Sequence, residues 1–532
     1  MSAAYRVLVA DAIAPEGLAP LRGDERFELV NRPGLSGAEL AQAMVGMDAV
    51  LVRSATKITR ESLALADRLA VIGRAGVGVD TIDVDAATER GIAVLTAPAG
   101  NTVSAAELTL ALILALARHV PAADRSMRAG QWDRKSFNGT ELLGKTLGLL
   151  GAGRIGGEVA RRARAFGMHV VAYDPFLSAE RAQAVGIELA PLDAVLRAAD
   201  VLSVHVPLSD ETAGLVGPAQ LAMLKPTAFL VNAARGGVVD ERALYEALSE
   251  RRIAGAALDV YAREPLPADD PLRSLDNVVL TPHLGASTVE AQHGVALEIA
   301  DAVRSALLDG DLSRAVNAPA VGGEEMRRLR PMMDLAERLG RLGAALVEGP
   351  VRHAEVRYTG SSEHALRPLT VGAMIGVLAA AVGRTTVNFV NALHVAESRG
   401  IRVDQVRAAA HGDFAEYMEL RLVGSAGEAR VGGALLAEGH PRLVLIGDYR
   451  VDIPPRGTLV VIRNQDVPGV IGRVGTILGD AGVNIGEYHQ ARLSAGGVAL
   501  AAVSVDGRLG ADVVAALQKI PVVLDVRQVG LE

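Results

Sequence analysis

The stretch that most constrains the fold of this 532-residue chain runs from Lys145 to Asp174. It begins with an apolar run, Thr146–Leu150, that is typical of a buried strand, and the glycine pattern GAGRIG occupies residues 151–156. A helical run follows to Phe166, and a second apolar strand ends at Asp174. Because the glycines stand directly between a strand and a helix, the stretch predicts a dinucleotide-binding βαβ unit.

Each glycine in the pattern has a separate structural role. Gly151 permits a tight turn, Gly153 lets the backbone approach a pyrophosphate, and Gly156 lets the helix pack closely on the strand. Asp174 follows Gly156 by 18 residues, at a strand end where its carboxylate can accept hydrogen bonds from both ribose hydroxyls. A 2′-phosphate would be repelled there, so the sequence favours NAD over NADP. The alternative is a glycine-rich turn that binds nothing, and the complete βαβ context argues against it.

Length, charge and cysteine content exclude several classes of function. A chain of this length is expected to form roughly three or four domains. Its net charge is −8 and it has no lysine- or arginine-rich tract, so nucleic acid is not expected as a partner. It contains no cysteine, which excludes disulfides and thiolate metal sites, and no metal site is predicted.

The apolar stretches also argue against a membrane partner. The longest uncharged one, Pro368–Gly383, falls short of the roughly 20 residues that span a bilayer, so we expect a buried helix there. A strand begins at Tyr5 with no basic region before it of the kind that opens a signal peptide. The expected location is the cytoplasm.

Strand and helix signals divide the chain into predicted domains. Short strands alternate with helices in residues 1–99, which is typical of a flavodoxin-like parallel α/β unit. Further strands across residues 100–284 complete a doubly wound, Rossmann-type sheet around the glycine pattern. The helical run Ser287–Leu308 is long enough to return to the first unit. We therefore assign residues 285–315 to that first domain, which is discontinuous and is predicted to bind substrate.

Two proline- and glycine-rich clusters mark the later boundaries, at residues 317–323 and 454–457. Residues 316–455 are predicted to form a mixed α/β intervening domain. Residues 456–532 follow the order βαββαβ, which is the ferredoxin-like plan.

Three polar residues follow strands in the predicted nucleotide-binding domain. Arg235 stands in a glycine-flanked turn, NAARGG, where its guanidinium can clamp a carboxylate through two hydrogen bonds. His283 directly follows the strand Val278–Thr281, and Glu264 is the candidate carboxylate to orient its ring. An arginine in this position more often forms a surface ion pair, and a single histidine more often has a structural role than a functional one. Together, at strand ends of a cofactor domain, they predict a proton-transfer site beside a carboxylate clamp.

The motifs GAGRIG, NAARGG, ALDVYAREP and TPHLGAST together resemble those of the D-isomer-specific 2-hydroxyacid dehydrogenases. The resemblance also includes residues 52–56, 73–80 and 99–107 and runs nearly end to end. It is greatest to the longest members, which carry an intervening domain and a C-terminal ACT domain. Those members oxidise 3-phospho-D-glycerate to 3-phosphohydroxypyruvate with NAD, at the start of L-serine biosynthesis, and are homotetramers.

The resemblance implies roles for individual residues. It makes His283 the catalytic acid/base, Glu264 its partner and Arg235 the clamp for the substrate carboxylate. Val206 departs from the family pattern, where threonine is frequent, and so does Thr81, where asparagine is frequent. The implied NAD contacts are Val77, Gly151, Gly153, Arg154, Ile155, Gly156, Asp174, Val206, Ala233, Ala234, Arg235, Asp259, His283, Gly285 and Ala286. The implied substrate contacts are Arg53, Gly76, Asn101, Arg134, Lys135 and Arg235, although Arg134 and Lys135 fit a solvated basic turn equally well.

The ACT resemblance implies an amino-acid effector. Asp466 and Asn484 are the candidates to bind L-serine across a subunit interface, which would give feedback inhibition. In the intervening domain His440, Arg442 and Arg450 form either an anion site or an exposed basic cluster.

Two rival functions remain open at this point. A hydroxypyruvate or glyoxylate reductase would share the catalytic residues and differ in the phosphate pocket. A non-enzymatic, dinucleotide-sensing corepressor would share the fold.

Overall fold

The computed structural model describes residues 4–383, 386–408, 414–436 and 439–531. Within these residues the chain forms four β-sheets, one for each predicted domain. The expected α/β class is confirmed, including both parallel sheets and the ferredoxin-like unit.

The first sheet is parallel and has the strand order β2-β1-β3-β4-β5, which is the flavodoxin-like order. Its strands are β1 (Tyr5–Val9), β2 (Phe27–Asn31), β3 (Ala49–Val52), β4 (Val71–Arg74) and β5 (Ala93–Thr96). The helices around it are α1 (Ala19–Arg22), α2 (Gly37–Ala43), α3 (Arg60–Leu63) and α4 (Val84–Glu89), with a 3-10 turn at Pro15–Leu18.

Both faces of this sheet are buried, as its continuous apolar strands predict. Leu8, Val50 and Ile72 pack on one face. On the other face, the long helix α12 (Val289–Asp309) contributes Ile299 and Val303 to the core that contains β1 and β3. The chain thus returns to its first sheet after completing the second.

The second sheet is parallel and has the order β12-β11-β10-β9-β6-β7-β8. When the strands are numbered within the domain, the order is 7-6-5-4-1-2-3, the doubly wound order of dinucleotide-binding sheets. The direction in which successive strands are added reverses between β6 and β9. The strands are β6 (Thr146–Leu150), β7 (His169–Tyr173), β8 (Glu188–Leu189), β9 (Val201–Val204), β10 (Phe229–Asn232), β11 (Gly255–Leu258) and β12 (Val278–Leu280). The helices are α5 (Thr102–Ala117), α6 (Val120–Arg128), α7 (Arg154–Ala165), α8 (Ala179–Ala184), α9 (Leu192–Ala198), α10 (Pro218–Leu221) and α11 (Glu241–Ser249), with a 3-10 turn at Pro271–Ser274.

The intervening domain contains a six-stranded mixed sheet of order β14-β13-β15-β16-β17-β18. Only the β13–β14 pair is parallel among its described strand pairs. The elements are α13 (Gly323–Leu346), β13 (Val351–Thr359), α14 (Leu366–Val382), α15 (Ala392–Ser398), β14 (Arg402–Arg407), β15 (Glu416–Gly424), β16 (Glu428–Leu435), β17 (Pro441–Ile446) and β18 (Tyr449–Ile453).

The long apolar stretch of the sequence forms α14, which contributes Leu369, Met374 and Leu378 to the core. In the described part of the chain, no single helix has the length and apolar character needed to cross a membrane. The bent pair α5 and α6 passes that test jointly, by length and composition only.

The ACT domain is an antiparallel sheet of order β20-β21-β19-β22. Its elements are β19 (Thr458–Gln465), α16 (Val470–Asp480), β20 (Ile485–Arg492), β21 (Val498–Val505), α17 (Ala511–Gln518) and β22 (Val523–Gly530). Val460 and Ile462 face the two helices of this domain. Leu459 and Val461, their neighbours on β19, belong instead to the core of the intervening domain. The two C-terminal domains therefore share one continuous hydrophobic core.

Candidate active site

The glycine turn joins β6 to α7 with the geometry that each glycine requires. Gly151 adopts φ +87°, and a Cβ built on it would lie 2.9 Å from the carbonyl oxygen of His205. A Cβ on Gly156 would collide with the carbonyl oxygen of Gly151, so α7 packs at a distance that only glycine permits. No described atom lies within 4 Å of a Cβ built on Gly153. This space at the N-terminus of α7 fits the pyrophosphate of NAD.

Asp174 is held at the end of β7, next to the glycine turn. One carboxylate oxygen accepts a hydrogen bond from the backbone N–H of Ala152 at 2.8 Å, and the other accepts one from Phe176 at 2.9 Å. A carboxylate has about four acceptor positions, so two remain for the ribose hydroxyls. The geometry supports the predicted preference for NAD.

Other predicted NAD contacts surround the same turn. Val206 packs against the glycine turn: a Cβ built on Gly151 would lie 3.0 Å from Cγ1 of Val206. Arg154 and Ile155 form the first turn of α7. Val77 is 38% exposed in the loop after β4. Ala286 follows the histidine loop and is partly buried.

Arg235 lies in a turn that is shaped by a buried asparagine. Asn232, at the end of β10, donates to the carbonyl oxygen of Arg235 at 2.9 Å and accepts from the backbone N–H of Ala234 at 3.1 Å. A Cβ on Gly236 would collide with the backbone of Tyr261, so the turn lies directly against the segment that leads to Glu264. Ala233 occupies the same turn, between the asparagine and Ala234.

His283 and Glu264 form the hydrogen-bonded pair that the sequence predicts. Nδ1 of His283 lies 2.7 Å from Oε2 of Glu264, whose other oxygen accepts from the backbone N–H of Tyr261 at 3.0 Å. An ionised carboxylate only accepts, so Nδ1 carries the proton and Nε2 presents its lone pair. His283 adopts φ +58°, an uncommon conformation for a residue with a side chain. Such strain is often found at functional sites.

Asp259 holds the loop that carries His283. It is fully buried, and one oxygen accepts from the hydroxyl of Thr281 at 2.6 Å and from the backbone N–H of Leu284 at 2.7 Å. Its other oxygen accepts from the backbone N–H of Gly285 at 2.9 Å. The carboxylate thus fixes the chain on both sides of the histidine. The predicted contact of Asp259 with the nicotinamide stays a prediction.

The structure adds Arg74 to the substrate side of the site. Burial lowers the pKa of Arg74 to about 10, and the neighbouring positive charges of Arg235 and Arg53 act in the same direction. A Cβ on Gly76 would lie 2.8 Å from Nη1 of Arg74, and one on Gly78 would lie 2.5 Å from Nη2 of Arg235. Arginine side chains therefore border the loop after β4, which suits a substrate with a carboxylate and a phosphate. The sequence signal for Arg74 is its position at the end of β4, within residues 73–80.

Arg53 is positioned by a buried aspartate. Asp11 accepts from the backbone N–H of Arg53 and, at 2.7 Å, from the hydroxyl of Thr56. Nη1 of Arg53 donates to the carbonyl oxygen of Ala12 at 3.2 Å, which leaves the other guanidinium hydrogens for a ligand.

The remaining substrate candidates differ in their surroundings. Oδ1 of Asn101, at the start of α5, is buried and has no hydrogen-bond partner among the described residues, as expected of a group that a ligand completes. Arg134 and Lys135 lie in an exposed turn that Asp133 organises, since Asp133 accepts from the backbone N–H of Lys135 at 3.0 Å. Neither side chain has a hydrogen bond or ion pair with a described residue.

The effector candidates lie far apart within one chain. Both β19 and β20 run antiparallel to β21, so Asp466 follows the end of β19 and Asn484 precedes the start of β20 at the opposite end of the sheet. An eight-residue strand spans about 25 Å. Asp466 contacts Arg492 at 3.3 Å, and Asn484 donates to Asp506 at 3.0 Å. A single site containing both requires two subunits.

The basic cluster of the intervening domain is partly neutralised. Arg442 pairs with Asp452 at 2.6 Å and with Glu487 of the ACT domain at 3.4 Å. Arg450 is exposed. The contact with Glu487 makes Arg442 a link between the two domains.

Family models match three successive parts of the chain. Residues 110–285 match the NAD-binding domain of the D-isomer specific 2-hydroxyacid dehydrogenases. Residues 328–447 match the D-3-phosphoglycerate dehydrogenase intervening domain, and residues 458–522 match the ACT domain.

Similar proteins cover nearly the whole chain. D-3-phosphoglycerate dehydrogenase of Synechocystis sp. is 42% identical over 99% of this chain and 95% of its own length. The enzyme of the same name from Archaeoglobus fulgidus is 39% identical over 99% of this chain and 100% of its own length.

Solved structures match a little more than half of the chain. The TT0316 protein from Thermus thermophilus is 37% identical, with a TM-score of 0.54 over 58% of this chain and 99% of its own. A glyoxylate reductase from Paecilomyes thermophila is 32% identical, with a TM-score of 0.55 over 59% of this chain and 99% of its own. Taken with the full-length relatives and the three matched domains, the chain belongs to the D-3-phosphoglycerate dehydrogenases, the long members of the D-isomer-specific 2-hydroxyacid dehydrogenase family.

Proposed function

We propose that this protein oxidises 3-phospho-D-glycerate to 3-phosphohydroxypyruvate with NAD, the first step of L-serine biosynthesis. The observation that carries the proposal is the 2.7 Å hydrogen bond between His283 and Glu264, in the domain that contains the glycine turn. The relatives that match over their full length bear the corresponding name.

Bound NAD supplies the acceptor for the hydride that leaves C2 of the substrate. Because Nδ1 of His283 donates to Glu264, the lone pair on Nε2 takes the proton of the C2 hydroxyl as the C2–O bond becomes a carbonyl. The carboxylate of Glu264 balances the imidazolium that results. In the reverse direction the imidazolium returns the proton to the oxygen.

The arginines orient the substrate. Arg235 holds the carboxylate beside C2, where its planar guanidinium can donate two parallel hydrogen bonds. Arg53 and Arg74 provide positive charge for the phosphate end. The Oδ1 of Asn101 is buried and has no partner among the described residues, which supports a role in accepting a hydrogen bond from a substrate hydroxyl. Fixing both ends of a three-carbon acid determines which face of C2 meets the cofactor.

We also propose feedback inhibition by L-serine in a cytoplasmic homotetramer. The matched ACT domain supports an amino-acid effector. The opposite placement of Asp466 and Asn484 in one sheet fits a serine site built from two subunits.

The test is to follow NADH formation with 3-phosphoglycerate and with D-glycerate, each with and without L-serine. We expect turnover of the phosphorylated acid to exceed that of glycerate by at least tenfold, and serine to lower it. Good turnover of glycerate without turnover of 3-phosphoglycerate would favour the glyoxylate or hydroxypyruvate reductase function. A glyoxylate reductase is among the similar solved structures, which is why this alternative is tested.

A third outcome is NAD binding without turnover of either acid. That result would favour the corepressor-like alternative. The intact pair of His283 and Glu264 argues against it, because a sensor has no need of a positioned proton acceptor.

A further inference from the structure

The first residue of α11, Glu241, contacts the segment that carries Glu264. Its Oε1 accepts a hydrogen bond from the backbone N–H of Ala262 at 2.5 Å. The preceding backbone N–H, that of Tyr261, donates to Oε1 of Glu264 at 3.0 Å. Two successive backbone donors are therefore held by two carboxylates, one from α11 and one that also binds His283.

This hydrogen bond connects the two halves of the catalytic site. A Cβ on Gly236 would lie 2.5 Å from the backbone nitrogen of Ala262, so the turn of Arg235 packs against the same segment. Residues 237–240 lead from that turn into α11, where Asp240 caps the helix. The side chain of Glu241 then returns to the segment before Glu264. The carboxylate clamp and the acid/base pair are thus tied to each other through α11.

Glu241 is partly buried and has acidic neighbours. Burial raises the pKa of Glu241, and the charges of Asp270, Glu264 and Asp240 act in the same direction, against the effect of the hydrogen bond from Ala262. A glutamine could accept that hydrogen bond without this electrostatic cost. A carboxylate that is kept among like charges and beside an acid/base group is typical of a functional site.

The cations of the adjoining segments do not neutralise this carboxylate. Arg242 pairs with Glu246 at 3.3 Å, and Arg273 donates to two backbone carbonyl oxygens. Arg263 is exposed. None of the three forms an ion pair with Glu241 among the residues that the structure describes. The negative charge of Glu241 can therefore act on the acid/base pair.

We propose that Glu241 is a positioning residue for the proton transfer by His283. Its hydrogen bond holds the segment before Glu264 against the turn of Arg235, and its negative charge adds to that of Glu264 in favouring the imidazolium. The inference rests on the proposed dehydrogenase function and names a further residue that serves it.

The charge has a predictable effect on the pH dependence. In substrate oxidation His283 must start neutral, so kcat/KM rises with pH as the ring loses its proton. Removing a nearby negative charge makes that proton easier to lose, which moves the half-maximal pH downwards. In the reverse reaction the imidazolium is required, so the fall of kcat/KM with rising pH also begins at a lower pH.

The test uses the full-length protein and compares four forms: wild type, Glu241→Gln, Glu241→Ala and Glu250→Gln. Glutamine keeps an acceptor for Ala262 and removes the charge, whereas alanine removes both. Glu250→Gln is the matched control, because Glu250 is an exposed carboxylate just past the other end of α11. The pH profile of kcat/KM is measured in both directions, at low and at high potassium chloride, with the KM for NAD and the thermal midpoint of each form.

The other groups of the site are the same in all four forms. Glu264 remains at Nδ1 of His283, Asp259 remains beneath the histidine loop, and Arg235 remains in its turn. Burial raises the pKa of Tyr261 to about 12, so its hydroxyl stays neutral over the profile. A shift of the profile therefore reports the charge that was removed.

We expect the half-maximal pH to fall by roughly 0.3–0.5 in both Glu241 variants at low salt, as for one unit charge acting across roughly 8 Å of water. The shift should shrink at high salt and be absent in Glu250→Gln. Glu241→Ala should also lower kcat by roughly three- to tenfold, because the hydrogen bond is lost, while the KM for NAD stays unchanged. Glu241→Gln should keep most of the kcat.

Two results would overturn the inference. One is a wild-type profile in both Glu241 variants, even if their thermal midpoints fall, because a merely structural role would lower stability without moving the profile. The other is an equal shift in Glu250→Gln, which would indicate a general charge effect. Absence of turnover in the wild type would contradict the proposed function and this inference with it, whereas wild-type turnover with an unmoved profile contradicts the inference alone.

Discussion

The side-chain amide of Asn388 donates a hydrogen bond to the carbonyl oxygen of Gly91 at 2.8 Å. This contact joins the intervening domain to the first domain, just after α4. The nearby side chain of Asn391 donates to the carbonyl oxygen of Glu89, the last residue of α4, at 3.4 Å. Helix α4 begins only a few residues after Asp80, which contacts Arg235 at 3.6 Å. The short helix α4 thus connects the intervening domain with the loop after β4 that carries Asp80.

Gly91→Ala should weaken this contact. Gly91 adopts φ +71°, and a Cβ on it would collide with the side-chain amide of Asn388. The conformation alone costs about 1–2 kcal/mol for alanine, and the collision adds to it. We expect a lower urea midpoint and a weaker response of turnover to L-serine.

Gly34→Ala is the matched control for this experiment. Gly34 adopts φ +85° in the same domain but has no described atom within 4 Å of its Cβ position. It shares the conformational cost and lacks the collision. Adding Asn388→Ala to Gly91→Ala removes the colliding amide. The double variant should then regain the part of the lost stability by which Gly91→Ala exceeds Gly34→Ala. Equal losses in the two glycine variants would contradict the role of Asn388.

His283→Ala should lower kcat by about 100- to 10,000-fold while changing the KM for NAD little, because it removes the proton acceptor and not the dinucleotide site. Glu264→Gln keeps the size of the side chain but removes the charge that balances the imidazolium, so we expect a smaller loss of kcat. Steady-state kinetics with 3-phosphoglycerate checks both. Near-normal turnover in His283→Ala would remove the histidine from the mechanism.

Asp259→Asn tests whether this residue positions the histidine loop or contacts the nicotinamide. The amide nitrogen would face a buried donor, and one unpaired buried donor costs about 1–3 kcal/mol. If Asp259 acts through the loop, kcat falls and the KM for NAD changes little. A rise in KM for NAD at constant kcat would favour direct contact with the cofactor. Asp276→Asn is the control, since Asp276 pairs with Arg251 on the surface.

The chain should lose stability in mild acid because of His205. Burial lowers the pKa of His205 to about 4, from an ordinary value of 6.5. The unfolded chain therefore binds this proton more readily than the folded chain. The neutral ring contributes its full share of folding stability above about pH 6.5, and this share is lost as the pH falls towards 4. The buried Nδ1 has no described partner, so a proton there would add an unsatisfied donor.

Thermal midpoints at pH 7.5 and pH 5 measure this effect. We expect the thermal midpoint to fall less between pH 7.5 and pH 5 in His205→Asn than in the wild type. The difference should be equivalent to about 2 kcal/mol of unfolding free energy. His169→Asn is the control, since His169 is exposed at the start of β7. An unchanged drop in His205→Asn would show that other groups cause the acid sensitivity.

The shared C-terminal core predicts different outcomes for two truncations. A chain ending at residue 455 would expose the apolar surface that Leu459, Val461 and Val529 now cover, so we expect it to aggregate. A chain ending at Gly322 retains Ala318, which packs in the first domain, and Asn317, which donates to the carbonyl oxygen of Ile92 at 2.9 Å. It should remain folded and keep dehydrogenase activity without inhibition by serine. Size-exclusion chromatography and turnover with serine distinguish these outcomes.

The catalytic domains could be predicted closely because their strands are short apolar runs between turn signals. The predicted strand Thr146–Leu150 matches the structure, and the predicted helical run Ser287–Leu308 differs from the observed Val289–Asp309 by only a few residues. The motifs after β10, β11 and β12 placed Arg235, Glu264 and His283 at one sheet edge, because parallel strands share their carboxyl ends.

Other features depend on contacts between distant segments and could not be read from spacing. The role of Asp259 in holding the histidine loop arises from a backbone contact 26 residues away. The mixed sheet of the intervening domain has register shifts near Gly433 that interrupt the simple alternation of strands. The order βαββαβ predicts a strand at the start of the C-terminal domain, but the burial of β19 on both faces follows only from the packing of two domains.

The burial of both faces of the ACT sheet limits how two subunits can join there. Its helices cover one face and the intervening domain covers the other, which leaves the edge strands β20 and β22. Antiparallel pairing of β20 with its copy would bring Asn484 of one subunit near Arg492, and hence Asp466, of the other. A half-site on each subunit would then become a whole site only on dimerisation. Sensitivity to the end product would therefore depend on protein concentration, and dilution alone would release the enzyme from control.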